Sequence, residues 1–137
     1  MIESKELFSN VESLNYSRLT VEIDDDYPCG LFFIVEIGDF KGRACIEVYT
    51  LEHAQAYLNQ LNIMNQSLTG KCSFVDEEAG YSKIDFEFKG TDIIVSGCLA
   101  DISDTYKLIF DEFKVDQTIL NGLISVMKKL IRVRQCS

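Results

Sequence analysis

The chain has 137 residues, of which 47% are hydrophobic and 26% charged, with a single proline. This composition excludes disordered, collagen-like and low-complexity classes. A chain of this length hides roughly two-thirds of its extended surface on folding, so one domain spanning residues 1–137 is expected. Thirteen Lys and Arg stand against 22 Asp and Glu, a net charge of −9, which opposes binding to a polyphosphate backbone and favours a cationic partner.

The first residues, MIESKELFSN, mix charge with single apolar residues, so neither a secretory leader nor a membrane span is expected, and the cytoplasm is the expected compartment. From Asn15 to Asp24, Leu19, Val21 and Ile23 alternate with Arg18, Thr20 and Glu22, the pattern of a strand with one wet face. An acidic turn of Asp24, Asp25 and Asp26 runs into Tyr27, Pro28, Cys29 and Gly30. Leu31 to Ile37 is apolar at six of seven positions, which predicts a central strand covered on both faces. A short loop over Gly38 to Gly42 then leads into Arg43 to Tyr49, with Ala44, Ile46 and Val48 on one face. The two strands are expected to be antiparallel neighbours.

Thr50 has the chemistry of an N-cap, and the helix after it carries Leu51, Ala54, Leu58, Leu61 and Leu68 at helical spacing, flanked by Tyr57 and Met64. Beyond Gly70 come a strand over Lys71 to Glu77, an acidic turn containing Asp76, Glu77 and Glu78, and a strand in which Ile84, Phe86 and Phe88 alternate with charged residues. Tight turns then predict strands over Ile93 to Leu99 and Tyr106 to Phe113. Asp116 opens a second amphipathic helix with Leu120, Leu123, Ile124, Met127, Leu130 and Ile131 on one stripe. Its carboxyl end gathers Lys128, Lys129, Arg132 and Arg134, where cations complement the helix dipole. The predicted fold class is α+β: a mostly antiparallel β-sheet of about six to eight strands covered by two amphipathic helices. Short connections disfavour parallel crossovers, and the two strands-then-helix halves leave a distant duplication open.

Constellations that carry chemistry are scarce. The sole histidine, His53, lies in the first turn of the predicted middle helix, and no nucleophile elbow or phosphate-cradling glycine loop occurs. No catalytic residue, cofactor or metal ligand is assigned. The five cysteines, Cys29, Cys45, Cys72, Cys98 and Cys136, include no close pair, so free thiols without metal are expected. Asp85 and Glu87 share a strand face, but Lys83 and Lys89 flank them. The phenylalanines mostly fall in predicted strands and read as core.

The strings GLFFIVEIGDFKGRACIEVY at 30–49, IDFEFKG at 84–90 and FKVDQTILNGLISVMKKL at 113–130, together with the order of elements, resemble the WapI family of small bacterial immunity proteins, partners of a wall-associated contact-dependent toxin. The resemblance implies a non-enzymatic inhibitor that neutralises a basic toxin domain in the cytoplasm, some such toxins being RNases. It assigns no binding residue. Charge alone places the candidate partner surface at Asp24, Asp25, Asp26, Asp76, Glu77, Glu78, Asp85 and Glu87, away from the basic end of the last helix. The alternative reading is a scaffold domain that homo-oligomerises through strand edges and a helix face. An inhibitor of this kind is also compatible with a homodimer.

Overall fold

The computed structural model describes residues 2–10, 17–24, 30–48, 50–76, 82–101 and 106–135. The chain order is β1 (Ile2–Asn10), β2 (Ser17–Asp24), β3 (Leu31–Ile37), β4 (Phe40–Ile46), α1 (Leu51–Ser67), β5 (Lys71–Asp76), β6 (Ser82–Lys89), β7 (Asp92–Ala100), β8 (Lys107–Val115) and α2 (Ile119–Gln135). The protein is therefore α+β, and every strand pairing is antiparallel. The eight strands divide between two four-stranded sheets, β1-β2-β3-β4 and β5-β6-β7-β8, rather than forming one. Each sheet is a meander followed by a helix, so the topology ββββα occurs twice.

Turn chemistry sets the register. Ile37 pairs with Phe40 and Lys89 with Asp92, which leaves two-residue loops whose first residues, Gly38 and Gly90, have φ of 59° and 67°. Only glycine takes up that conformation without steric penalty, and it matches the twist of a tight hairpin. α1 begins as expected at Thr50, whose hydroxyl accepts from the His53 N–H at 3.0 Å. It ends with Leu68 in the left-handed region at φ 55°, so Leu68 turns outward instead of extending the apolar stripe. Met64 takes its place in the core beside Ala54, Leu58 and Leu61. At the second helix the Asp116 carboxylate accepts from the Thr118 N–H at 2.9 Å. Three tightened backbone bonds, beginning with Ile119 N–H to Asp116 C=O at 3.3 Å, then lead into α2.

Both sheets and both helices contribute to one continuous apolar core. Phe33 of β3 meets Phe74 of β5 and Phe86 of β6, with ring centroids 5.1 and 6.1 Å apart. Phe8 of β1 meets Phe113 of β8 edge-on at 5.5 Å. β3 departs from expectation: Leu31, Phe33 and Val35 are buried, while Phe32, Ile34 and Glu36 are only half-covered. The apolar Phe32 is tolerated on that outer face because the Arg43 guanidinium of β4 lies 4.1 Å from its ring centre. β1 lies outside the strands expected from sequence. A bulge between Glu6 and Phe8 breaks its alternation, and both Leu7 and Phe8 reach the core. No helix among the described residues is long and apolar enough to cross a membrane.

Candidate functional site

The outward faces of the sheets, where the sequence places most of the charge, are paired within themselves. On the first sheet Arg18 of β2 bridges Glu6 of β1 at 3.0 Å and Glu36 of β3 at 3.9 Å. Arg43 of β4 pairs with Glu22 of β2 at 3.2 Å across β3. On the second sheet Asp85 of β6 accepts from the Ser73 hydroxyl at 2.5 Å and lies 3.5 Å from Lys83 and 3.8 Å from Lys71. Lys114 of β8 pairs with Asp92 of β7 at 3.1 Å. Opposite charges on neighbouring strands compensate one another, as cross-strand pairs do.

Of the eight acidic residues singled out by charge, four lie among the described residues, each in a different setting. Asp25, Asp26, Glu77 and Glu78 lie outside the described residues. Asp24 ends β2, half-buried, with its backbone N–H donating to the Gly30 carbonyl at 2.9 Å. Asp85 is held by two lysines and a serine, and Glu87 lies opposite Lys71 in the register. Asp76 departs furthest from expectation. It closes β5 rather than opening an exposed turn, and only 4% of its surface is accessible. The reason is strand parity: Asp76 shares its face with Cys72 and Phe74, both core residues.

Near Asp76 lies a cluster that sequence reasoning did not assemble. Cys45 of β4, Glu47 just beyond it and Asp76 bring a sulfur and two carboxylate oxygens within 4.8 Å of one another. Cys45 and Glu47 are half-buried. The i, i+2 spacing of Cys45 and Glu47 was a readable signal, but Asp76 joins them only because the end of β5 approaches the end of β4. Close by, the Tyr57 hydroxyl of α1 accepts from the Val75 N–H at 3.4 Å. Burial raises the Tyr57 hydroxyl above its ordinary value, with that hydrogen bond opposing the rise and Cys72 and Asp76 adding to it. Burial likewise pushes the Cys72 thiol up to about 12. His53 is half-buried, its ring 4.8 Å from that of Tyr57, a packed helix histidine.

Two further surfaces stand out. A groove of about 220 Å³ runs between β4 and the β7–β8 end of the second sheet, bordered by Phe40, Arg43, Asp101, Tyr106 and Leu108. Phe40 and Tyr106 are 70% and 76% exposed, and Ile109 on the edge strand β8 is 75% exposed. A second pocket of about 280 Å³ lies between α2 and β1–β2, with Val21, Ile23 and Val126 as its floor and Lys5 and Lys129 among its lining residues.

These features define an α+β protein of two ββββα units whose sheet faces are charge-compensated and whose core is shared. Comparison of the chain with protein-family models, with curated proteins and with solved structures finds no match.

Proposed function

We propose that this protein is an immunity-type inhibitor that binds a basic toxin domain, an RNase being the expected kind, in the cytoplasm and acts by occupancy rather than catalysis. The observation that carries the reading is the net charge of −9, combined with its distribution. The last helical segment, from Asp116, holds four basic residues and one acidic one, so the excess of carboxylates lies in residues 1–115, mostly at positions outside the described strands and helices. A nuclease that grips RNA presents a cationic surface, and an acidic inhibitor is drawn to that surface quickly and in a salt-dependent way. The family resemblance of the strings at 30–49, 84–90 and 113–130 supports the same role. The test is co-expression with the toxin domain encoded beside its gene. A salt-sensitive complex that restores growth is expected, and the absence of both complex and rescue overturns the reading.

The exposed Phe40, Tyr106 and Ile109 at the β4 and β8 edges favour a second reading, a scaffold that assembles with copies of itself. Large apolar groups beside unpaired strand edges are the usual anchors of such contacts. Sedimentation velocity over a range of concentrations separates the readings. A stable oligomer lost on Ile109→Lys, with no toxin complex, selects the scaffold.

A further inference from the structure

The cluster at the ends of β4 and β5 has the composition of a metal site. Residues two apart in an extended segment leave the backbone on the same side, so Cys45 and Glu47 project together, and Asp76 meets them from the other sheet. Their ligand atoms lie within 4.8 Å of one another. Asp76 is 4% accessible, and Cys45 and Glu47 are half-buried. Glu47 Oε2 is shut off from solvent and has no hydrogen-bond partner among the described residues. A buried carboxylate oxygen left unsatisfied is costly, and a cation bound beside Glu47 Oε2 would satisfy it. Arg43 of β4 is engaged with Glu22, and Lys71 of β5 and Lys83 of β6 with Asp85.

We propose that Cys45, Glu47 and Asp76 bind a divalent transition metal of the zinc class, which ties the end of β4 in the first sheet to the end of β5 in the second. One sulfur and two oxygens suit zinc, which accepts thiolate and carboxylate together in a tetrahedron completed by water. The sulfur argues against calcium and magnesium, which take oxygen ligands and more of them. In a tetrahedral zinc site the ligand atoms are about 3–4 Å apart, so the three side chains need to close by about 1–2 Å at most from separations within 4.8 Å. Binding takes the proton from the Cys45 thiol to solvent and forms a sulfur–metal bond, leaving two negative charges of the dication's set balanced and one to spare. No change of oxidation state is involved. The metal staples the two sheets and stabilises the folded chain by mass action. This departs from the metal-free cysteines expected from sequence, because the third ligand comes from a strand distant in the chain. The inference is independent of the proposed partner.

The test uses the full chain, reduced and stripped of metal with a chelator. Titration with Co²⁺ is expected to produce a thiolate-to-cobalt charge-transfer band that saturates at one equivalent and is displaced by Zn²⁺. Cys45→Ser is expected to abolish the band although four other cysteines remain. Glu47→Gln is expected to keep the band but weaken cobalt binding by about tenfold or more. Far-ultraviolet circular dichroism checks that both variants fold. No band in the parent chain, a band that survives Cys45→Ser, or cobalt affinity unchanged by Glu47→Gln overturns the proposal. The glutamate variant decides the matter if the cysteine variant fails to fold.

Discussion

Phe33 of β3 and Phe74 of β5 place their ring centroids 5.1 Å apart, and both side chains are fully buried. They belong to different sheets and to different ββββα halves, so neither half buries its own apolar face without the other. Large aromatic groups in such a position contribute through the area they remove from water and through the cavity their loss would leave. Phe33→Ala is expected to lower stability by about 3–5 kcal/mol. It should do so in a single transition that removes the structure of both halves together. Denaturant unfolding followed by circular dichroism and by tyrosine fluorescence checks this: two separated transitions would show that the halves are independent.

Gly97 of β7 occupies a bulge, the register with β8 shifting between Val95 and Gly97. A Cβ there would stand 2.2 Å from the Lys83 carbonyl oxygen and 3.0 Å from the Ile84 Cα, both on the β6 backbone. Backbone cannot yield as a flexible side chain can. Gly97→Ala is therefore expected to destabilise by about 2–3 kcal/mol through strain, whereas Gly90→Ala, which meets nothing within 4 Å, is penalised only through its left-handed φ of 67°. Comparing the two denaturation midpoints tests the ranking.

Much of this fold was legible because alternation and helical spacing report burial directly. β2 and β6 bury the residues their period-2 pattern selects, Leu19, Val21 and Ile23 in one and Ile84 and Phe86 in the other. Thr50 caps α1 where its hydroxyl predicts. What failed has local causes. The bulge between Glu6 and Phe8 scrambles the parity of β1, so a strand carrying core contacts looked like a charged terminus. In β3 the apolar Phe32 suggested a second buried face, but the group that shelters it is Arg43, which belongs to the next strand. The division into two sheets was hidden because a meander has the same local signals whether its neighbours continue one sheet or begin another.

The candidate site was less legible. Charge counting sees Asp76 beside Glu77 and Glu78 as one acidic run, although strand parity puts Asp76 with Cys72 and Phe74 on the core face. The cluster of Cys45, Glu47 and Asp76 depends on the approach of two strand ends, and no spacing rule contains that distance.

Cys72 is buried beneath the second sheet, and its thiol is pushed up to about 12, first by burial and then by the Asp85 charge. In the unfolded chain the thiol titrates near 9. A proton held by the folded state and lost by the unfolded one stabilises the fold at lower pH, and that contribution falls away as pH rises from about 9 toward 12. The raised Tyr57 hydroxyl acts in the same direction. Stability is therefore expected to decline over this alkaline window, and Cys72→Ala, after its own cavity penalty, should flatten the slope. The same burial predicts that Cys72 resists a thiol reagent in the folded protein at pH 8 and reacts once it is unfolded. Rapid modification in the folded state, or an unchanged alkaline slope in Cys72→Ala, would contradict this.

The cationic-partner reading makes different demands of the carboxylates according to where the fold puts them. Asp85 is already engaged by Lys71, Lys83 and Ser73, and Asp76 is buried. Replacing either with asparagine should change stability more than partner recognition. Asp24 lies at the end of β2, next in sequence to Asp25 and Asp26, and on the proposed reading this run of charge would attract an approaching cationic domain. Rim charges act mainly on the association rate, and their reach falls from about 30 Å in 0.01 M salt to about 10 Å in 0.1 M. The triple change of Asp24, Asp25 and Asp26 to asparagine is expected to slow association with the toxin domain severalfold at low salt. It should reduce the salt slope and leave the dissociation rate nearly unchanged, with Glu77→Gln and Glu78→Gln together giving a smaller effect of the same kind. Stopped-flow association kinetics across that salt range measure all three quantities. If both sets of changes leave the association rate and its salt slope untouched, electrostatic steering by these turns is wrong. The exposed aromatic groove at Phe40 and Tyr106 then becomes the surface to mutate.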